Sequence, residues 1–231
     1  MIHLARIKVI TLDLDDTLWP VWPTIERAEQ ALQAWLAAHA PATAQLCSDP
    51  AERAAIRTWV NQQHVQQAHD LSFLRREAIR ESLRRAGDGT DLAEPAFEAF
   101  FAYRHQVQLY DGVAQALQRL ASRYRLIALS NGNADVFKTQ AAAHFSAAVS
   151  AREVGVAKPD VRIFHAAASQ AGVRPEEVLH VGDDSHADVL GAWQAGMQAV
   201  WVNRDNHVWA HEAPQPVTVQ QLSELCDHLH T

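Results

Sequence analysis

Long apolar runs are missing from this chain of 231 residues. Its most hydrophobic stretches, such as Val178 to Val181 and Ala199 to Val202, fall far short of the roughly 20 residues that a spanning helix requires. No membrane segment is expected. Cysteine is scarce: Cys47 and Cys226 lie far apart without metal-ligand or redox spacing, which reads as a pair of reduced, structurally ordinary thiols. Positive charge is also short, with 20 Lys and Arg against 27 Asp and Glu and a formal net charge of −7. That balance disfavours nucleic acid and other polyanionic partners, which are held through phosphate contacts. Glycine and proline, nine each, are too few for a low-complexity chain, and a hydrophobic share of 48% argues against disorder. The first apolar segment soon meets Asp13, Asp15 and Asp16, where a signal peptide would carry a longer apolar region and a cleavage site. A cytoplasmic location is the expectation.

The length fits one large domain, or a domain with a sizeable insertion. Short aliphatic and β-branched runs at 7–14, 125–130, 147–150, 178–182 and 199–203 read as strands. Helical patterns lie between them at 113–120, 135–143, 162–171 and 188–195. This alternation predicts an α/β fold with a parallel sheet covered on both faces. Residues 24–109 break the alternation, because their apolar residues fall at helical spacing: Ile25, Ala28, Leu32, Trp35 and Leu36, then Phe97, Phe100, Phe101 and Val107. A helical insertion is predicted there, with Asp91 and Glu94 marking a helix that starts near Leu92. The lone strand at 7–14 must pair with the later strands. The insertion then leaves from that strand's C-terminal end, where open α/β sheets place their ligands.

Two strands end in acids. The first runs Ile7 to Leu12 and releases into Asp13-Leu14-Asp15-Asp16-Thr17; the second runs Val178 to Val181 and releases into Gly182-Asp183-Asp184-Ser185-His186-Ala187-Asp188. In extended chain residues two apart share a side, so Asp13 and Asp15 can converge while Leu14 points inward. Converging carboxylates repel and raise one another's pKa unless a cation joins them. Asp at a strand end is also a common cap or turn former, but the repetition at a second strand tip favours a shared ion. An all-oxygen donor set suits Mg²⁺ rather than zinc. His180 and His186 read as structural or solvated. Between the acidic clusters, Ser130-Asn131-Gly132-Asn133 offers a hydroxyl and backbone N–H groups to an anion. Lys158 supplies a cation just before Pro159, which can open the next helix at its first position.

Taken in order, these four segments resemble the motifs of the haloacid dehalogenase superfamily of phosphatases across essentially the whole predicted core. The resemblance implies a Rossmann-like parallel sheet core formed by residues 1–18 and 110–231, with residues 19–109 as a helical C1 cap that sets substrate specificity. It implies that Asp13 attacks phosphorus, that Asp15 is the acid/base, that Ser130, Asn131, Gly132 and Lys158 hold the phosphoryl group, and that Lys158 takes part in catalysis. It also implies Mg²⁺ as cofactor, bound by Asp13, the backbone carbonyl of Asp15 and the carboxylate of Asp183, with Asp188 and Asp184 behind them; Asp188 would fix Lys158 or a metal-bound water.

Asp15 speaks against dehalogenation, since dehalogenases of the superfamily lack an acid/base Asp two residues after the nucleophile. A phosphatase acting on a small cytosolic phosphate ester, as monomer or homodimer, is expected. Within the superfamily the chain resembles bacterial phosphatases acting on flavin mononucleotide (FMN) and on the phosphorylated ribitylaminopyrimidine of riboflavin synthesis. Sugar- or nucleotide-phosphate hydrolysis, phosphomutase activity and a non-catalytic phosphate-binding module remain alternatives. Trp35 and Trp59 read as fillers of the cap's own core. Trp19 and Trp22, directly after the catalytic strand, read as candidates to stack on a flat leaving group.

Overall fold

The computed structural model describes residues 2–230. They fall into two compact units: Val21–Gln106, and the chain up to Pro20 together with the chain from Val107 onward. No helix among the described residues is long and apolar enough to cross a membrane.

The Val21–Gln106 unit is helical throughout, with α1 (Val21–His39), α2 (Pro41–Leu46), α3 (Pro50–Gln63), α4 (Leu71–Ala86) and α5 (Ala93–Arg104). Ala28, Leu32 and Leu36 form one stripe on α1 and pack with Ile79 and Leu83 of α4 and with Ala96, Phe97 and Phe100 of α5. Asp49 and Asp70 cap α3 and α4 by accepting from the N–H groups of Ala51 and Phe73. Gly87 closes α4 at φ 82°, the left-handed conformation that favours glycine. The cap expected at Asp91 is not formed. Thr90–Leu92 make a 3₁₀ turn, α5 begins at Ala93, and the Asp91 carboxylate folds back so that a Cβ on Gly89 would meet it at 2.5 Å. Trp35 packs against this core and stacks on His39, with ring centroids 4.2 Å apart. Trp59 is 39% exposed, so the core-filling role expected for it does not hold.

The other unit is built on a six-stranded parallel sheet of β1 (Val9–Leu12), β2 (Arg125–Ser130), β3 (Ala147–Ser150), β4 (Val178–Gly182), β5 (Gln198–Val202) and β6 (Val217–Val219). The strand order is β3-β2-β1-β4-β5-β6, so the expected α/β class with a Rossmann-like parallel sheet is the observed one. Side chains alternate across it. Ile10, Leu12, Leu179 and Val181 face α6 (Val113–Ala121) and α10 (Leu222–His228). Val9, Ile127 and Val178 face α8 (Val161–Ala171) and α9 (Gly191–Gln194). A four-residue helix, α7 (Ala151–Val154), links β3 to the segment carrying Lys158.

Two helical expectations change. Residues 135–143 form two 3₁₀ turns, Val136–Lys138 and Ala142–His144. The Thr139 hydroxyl donates to the Val136 carbonyl and accepts from the Ala141 N–H, taking backbone groups that a continuous helix would use. Pro159 does not open α8: that helix starts at Val161 with Asp160 as its cap, accepting from the Arg162 N–H at 2.9 Å.

Candidate active site

Strand order places the chemistry. The sheet changes direction between β1 and β4, and at such a switch point the loops leaving neighbouring strands part and open a crevice. Leu12 pairs with Val181 in register, and the Asp13 N–H donates to the Val181 carbonyl at 2.9 Å. The acids that follow β1 and β4 therefore emerge side by side. One oxygen each of Asp13, Asp183 and Asp188 lies within 4.8 Å of the others.

Among the described residues, Lys158 is the cation hydrogen-bonded to these acids. The Lys158 Nζ donates to Asp13 Oδ1 at 2.5 Å, Asp188 Oδ1 at 2.7 Å and the Leu129 carbonyl at 2.9 Å, which uses all three of its protons. The Lys158 backbone is clamped as well. Its N–H donates to Asn131 Oδ1 at 2.7 Å, and its carbonyl accepts from Asn131 Nδ2 at 3.0 Å. Asn131, expected at the substrate, thus spends its side-chain amide on the loop that carries Lys158.

Asp188 is held from every side. Its Oδ2 accepts from the Asp184 N–H at 2.9 Å, and its Oδ1 accepts from His180 Nε2 at 3.0 Å as well as from Lys158. His180 is fully buried, and its Nδ1 lies 2.8 Å from the hydroxyl of Thr11, its register partner on β1. Because a carboxylate only accepts, the proton of the neutral imidazole sits on Nε2, and Thr11 donates to Nδ1. Ser185–Leu190 wind as a π-helical turn that brings Asp188 back over the strand tip. A Cβ on Gly182 would lie 2.2 Å from the Asp188 carboxyl carbon, so only glycine leaves room for it. Asp184 is exposed and caps the same turn, accepting from the N–H groups of His186 and Ala187.

Three carboxylates share one lysine, and the electrostatics follow from that imbalance. Burial raises Asp13 well above the ordinary carboxylate pKa; Lys158 opposes the rise, and Asp188 and Asp183 add to it. Asp183 is pushed up to about 7, first by burial and then by Asp188. Burial would also raise Asp188, but Lys158 and His180 outweigh it and hold this acid below the usual range. Lys158 itself is depressed by burial and raised on balance by Asp13 and Asp188. Burial lowers His180, which keeps it neutral. Excess negative charge in an oxygen-lined pocket fits a hard divalent cation. Both oxygens of Asp188 accept hydrogen bonds, while the bonds on the carboxylates of Asp13 and Asp183 fall on Oδ1 of each.

The remaining expected residues divide. Ser130 is buried, and its Oγ accepts from the Gly132 N–H at 2.9 Å, so the turn closes on itself. The Asp15 carboxylate accepts from the Trp19 indole N–H at 2.8 Å. Trp19 is fully buried, so the stacking surface expected on this ring is absent, and the ring instead orients Asp15. Trp22 lies in the helical unit and is 71% exposed. Two further residues touch Asp183 and a third supports one of them, none of them among the expected site residues. Thr17 donates its hydroxyl to Asp183 Oδ1 at 2.7 Å, Trp201 donates its indole N–H to the Asp183 carbonyl at 2.7 Å, and Arg204 donates to the Thr17 carbonyl at 2.8 Å. Thr17 had a signal in its place beside the acids. Trp201 and Arg204 are distant in sequence and carried none.

The chain is 30% identical to the 5-amino-6-(5-phospho-D-ribitylamino)uracil phosphatase YigB of Escherichia coli K12, an alignment covering 96% of each chain. It is 37% identical to a phosphoserine phosphatase of Thermus thermophilus over 65% of this chain and 63% of the relative. Its fold matches the crystal structure of a 2-haloacid dehalogenase from Pseudomonas syringae pv. tomato DC3000 with a TM-score of 0.90, at 37% identity and covering 97% and 98% of the two chains. Residues 7–196 match the haloacid dehalogenase-like hydrolase family model, and with the acids of β1 and β4 meeting beside a buried lysine, the chain belongs to that family.

Proposed function

We propose that this hydrolase is a Mg²⁺-dependent phosphomonoesterase that works through a phosphoaspartate on Asp13. The observation that carries the reading is Asp15, two residues beyond Asp13, with its carboxylate held by the Trp19 indole. Attack on phosphorus expels an alkoxide that needs a proton, and Asp15 is an acid in place to give one. The carboxylate excess around Lys158 supports the same reading, since it calls for a divalent cation.

Asp13 and the carboxylate of Asp183 would hold Mg²⁺, together with the main-chain carbonyl of Asp15. When bound, the ion neutralises phosphoryl oxygens that would otherwise repel the attacking carboxylate. Lys158 holds Asp13 in place before substrate arrives. Because its three protons are all committed, a phosphoryl oxygen gains Lys158 by displacing one acceptor, and Asp13 is released as it turns to attack. An Asp13 oxygen then bonds to phosphorus, the ester P–O bond breaks, and the leaving oxygen takes the proton of Asp15. In the second half, Asp15 as the carboxylate removes a proton from water. That water oxygen bonds to phosphorus, the bond from phosphorus to Asp13 breaks, and phosphate leaves. Ser130 and the turn at Gly132 complete the phosphoryl cradle. Asp188 keeps Lys158 oriented and charged, and Asp184 fixes the turn that presents Asp188. Preorganised charge supplies most of the acceleration for such a loose transition state.

The helical unit, with Trp22 exposed on it, acts as the cap that selects the leaving group. The likeness to YigB over nearly all of both chains favours a phosphorylated ribitylaminopyrimidine as substrate, and FMN stands beside it on the resemblance of the motifs alone. A panel of FMN, that pyrimidine, sugar phosphates and nucleotides tests this: preference for the first two is expected, and no preference over sugars ends it. A second reading, 2-haloacid dehalogenation, is favoured by the fold match to a 2-haloacid dehalogenase. Halide release from a 2-haloacid without phosphate release from any ester would establish it instead.

A further inference from the structure

Asp183 is in an unfavourable place. Its carboxylate shares a pocket with those of Asp13 and Asp188, all within 4.8 Å, and repulsion drives it outward whenever no cation is bound. Something must hold it inward, and two residues, one on β5 and one in the loop leaving it, converge on it from opposite ends. Trp201, 3% exposed and opposite Gly182 in register, donates its indole N–H to the Asp183 main-chain carbonyl. Arg204 lies over the Tyr110 ring at 3.9 Å and donates to the Thr17 carbonyl, and the Thr17 hydroxyl in turn donates to the Asp183 carboxylate.

Trp201 is itself locked. Its ring packs edge-to-face on Trp209 at 5.5 Å. The Trp209 indole is tied to the Ala213 carbonyl at 2.6 Å, and the ring touches His211 at 4.6 Å. The His211 ring nitrogen Nε2 returns to the Ser185 hydroxyl at 2.9 Å, beside Asp183.

We infer that Trp201 and Arg204 are positioning residues that fix Asp183 by its main chain and, through Thr17, by its carboxylate, and so set the protein's affinity for a divalent cation. The inference rests on Asp13 and Asp183 being the cation's ligands. Groups hydrogen-bonded to a metal ligand, as Trp201 and Thr17 are to Asp183, change metal affinity by about 10- to 100-fold when removed, and Arg204 acts one step further out, through Thr17. They do not touch substrate.

The test is calorimetric titration of Mg²⁺ into the metal-free full chain and its variants, with kcat measured across Mg²⁺ concentration. Trp201→Phe keeps the aromatic packing and removes the N–H; Arg204→Lys keeps the charge and removes the planar fork. Each is expected to weaken Mg²⁺ binding about tenfold or more, with kcat restored at saturating Mg²⁺. Trp193→Phe, which meets Trp209 at 6.0 Å and makes no bond to Asp183, is expected to bind as the parent does. A variant that binds Mg²⁺ within about twofold of the parent removes the arm it tests, and equal weakening by Trp193→Phe reduces the effect to general packing. If Trp201→Phe does not fold, Arg204→Lys decides. A parent that binds no Mg²⁺ overturns the ligand assignment itself, a different result from a parent that binds and variants that do not differ.

Discussion

Gly182 and the Asp188 carboxylate compete for one space: a Cβ on the glycine would sit 2.2 Å from the carboxyl carbon of the acid. Gly182→Ala therefore displaces Asp188 and withdraws one of the three acceptors of Lys158. Overpacking of this kind costs about 1–3 kcal/mol, and a catalytic group misplaced by an ångström loses about 100-fold in rate. Steady-state kinetics and thermal unfolding on the same sample check both effects; unchanged turnover would separate Asp188 from the action of Lys158.

Asp13→Asn is expected to lower turnover by at least about three orders of magnitude while leaving the metal-free protein as stable as the parent or more so. The folded-state pKa of Asp13 lies well above 3.8. The native protein therefore binds this proton more tightly than the unfolded chain does, and an ionised Asp13 is a destabilising charge at neutral pH. Thermal unfolding in EDTA reads the stability, and phosphate release with Mg²⁺ reads the rate. A large loss of stability in Asp13→Asn would mean that the cluster is structural.

On the proposed reading Mg²⁺ displaces protons from the same acids, so its stabilisation of the protein is expected to grow with pH. Asp183 titrates at about 7 in the folded protein against 3.8 ordinarily. Between those values the metal-free native state holds the extra proton, so its stability declines as pH rises and levels off above about 7. Mg²⁺ reverses that decline by binding the ionised form. The shift in melting temperature on adding Mg²⁺ is expected to be larger at about pH 8 than at about pH 6. Equal shifts at the two would remove Asp183 from the ion's ligands.

The helical unit carries a separate acid-sensitive element. Glu81 has a side chain 6% exposed and accepts from Arg84 and Arg85 at 2.7 Å. Hydrogen bonding to Arg84 in the first place, then to Arg85, lowers it to about 2. A depressed acid stabilises the fold fully above its unfolded value of 4.5 and ceases to do so as pH falls toward about 2. Both arginines reach solvent, so screening leaves only a modest amount of stability from the cluster. Glu81→Gln should remove that amount at neutral pH, measured by denaturant unfolding, and should flatten the acid limb of the stability profile.

The strands that carry the site were legible because each is a run of buried aliphatic residues ending in acid or Ser-Asn-Gly. β6 was not: Val217–Val219 is three residues long at the sheet edge, with Thr218 at its centre, too short to show a period. The helical pattern at 135–143 misled because a single hydroxyl at Thr139 diverts the backbone. The meeting of Asp13, Lys158 and Asp183 could be read from motif order, whereas the direction of a side chain could not. Trp19 follows the acids as a surface ring would, yet it is buried with its N–H on Asp15. Asn131 turns to the backbone of Lys158, which lies 27 residues away in sequence, and the grip of Trp201 and Arg204 on the Asp183 loop exists only once β5 pairs with β4.

The central claim, that Asp13 attacks phosphorus, is most directly tested by acid-quenching the Asp15→Asn variant during turnover of a phosphomonoester with Mg²⁺ and measuring the mass of the peptide that contains Asp13. With an aryl phosphate, whose phenolate leaves without a proton, Asp15→Asn still forms the intermediate but cannot activate the water that hydrolyses it, so the account predicts a gain of one phosphoryl group on that peptide, absent in Asp13→Asn and absent with EDTA. An unmodified peptide alongside continued phosphate release, or an alkyl adduct formed from a 2-haloacid in its place, would contradict it.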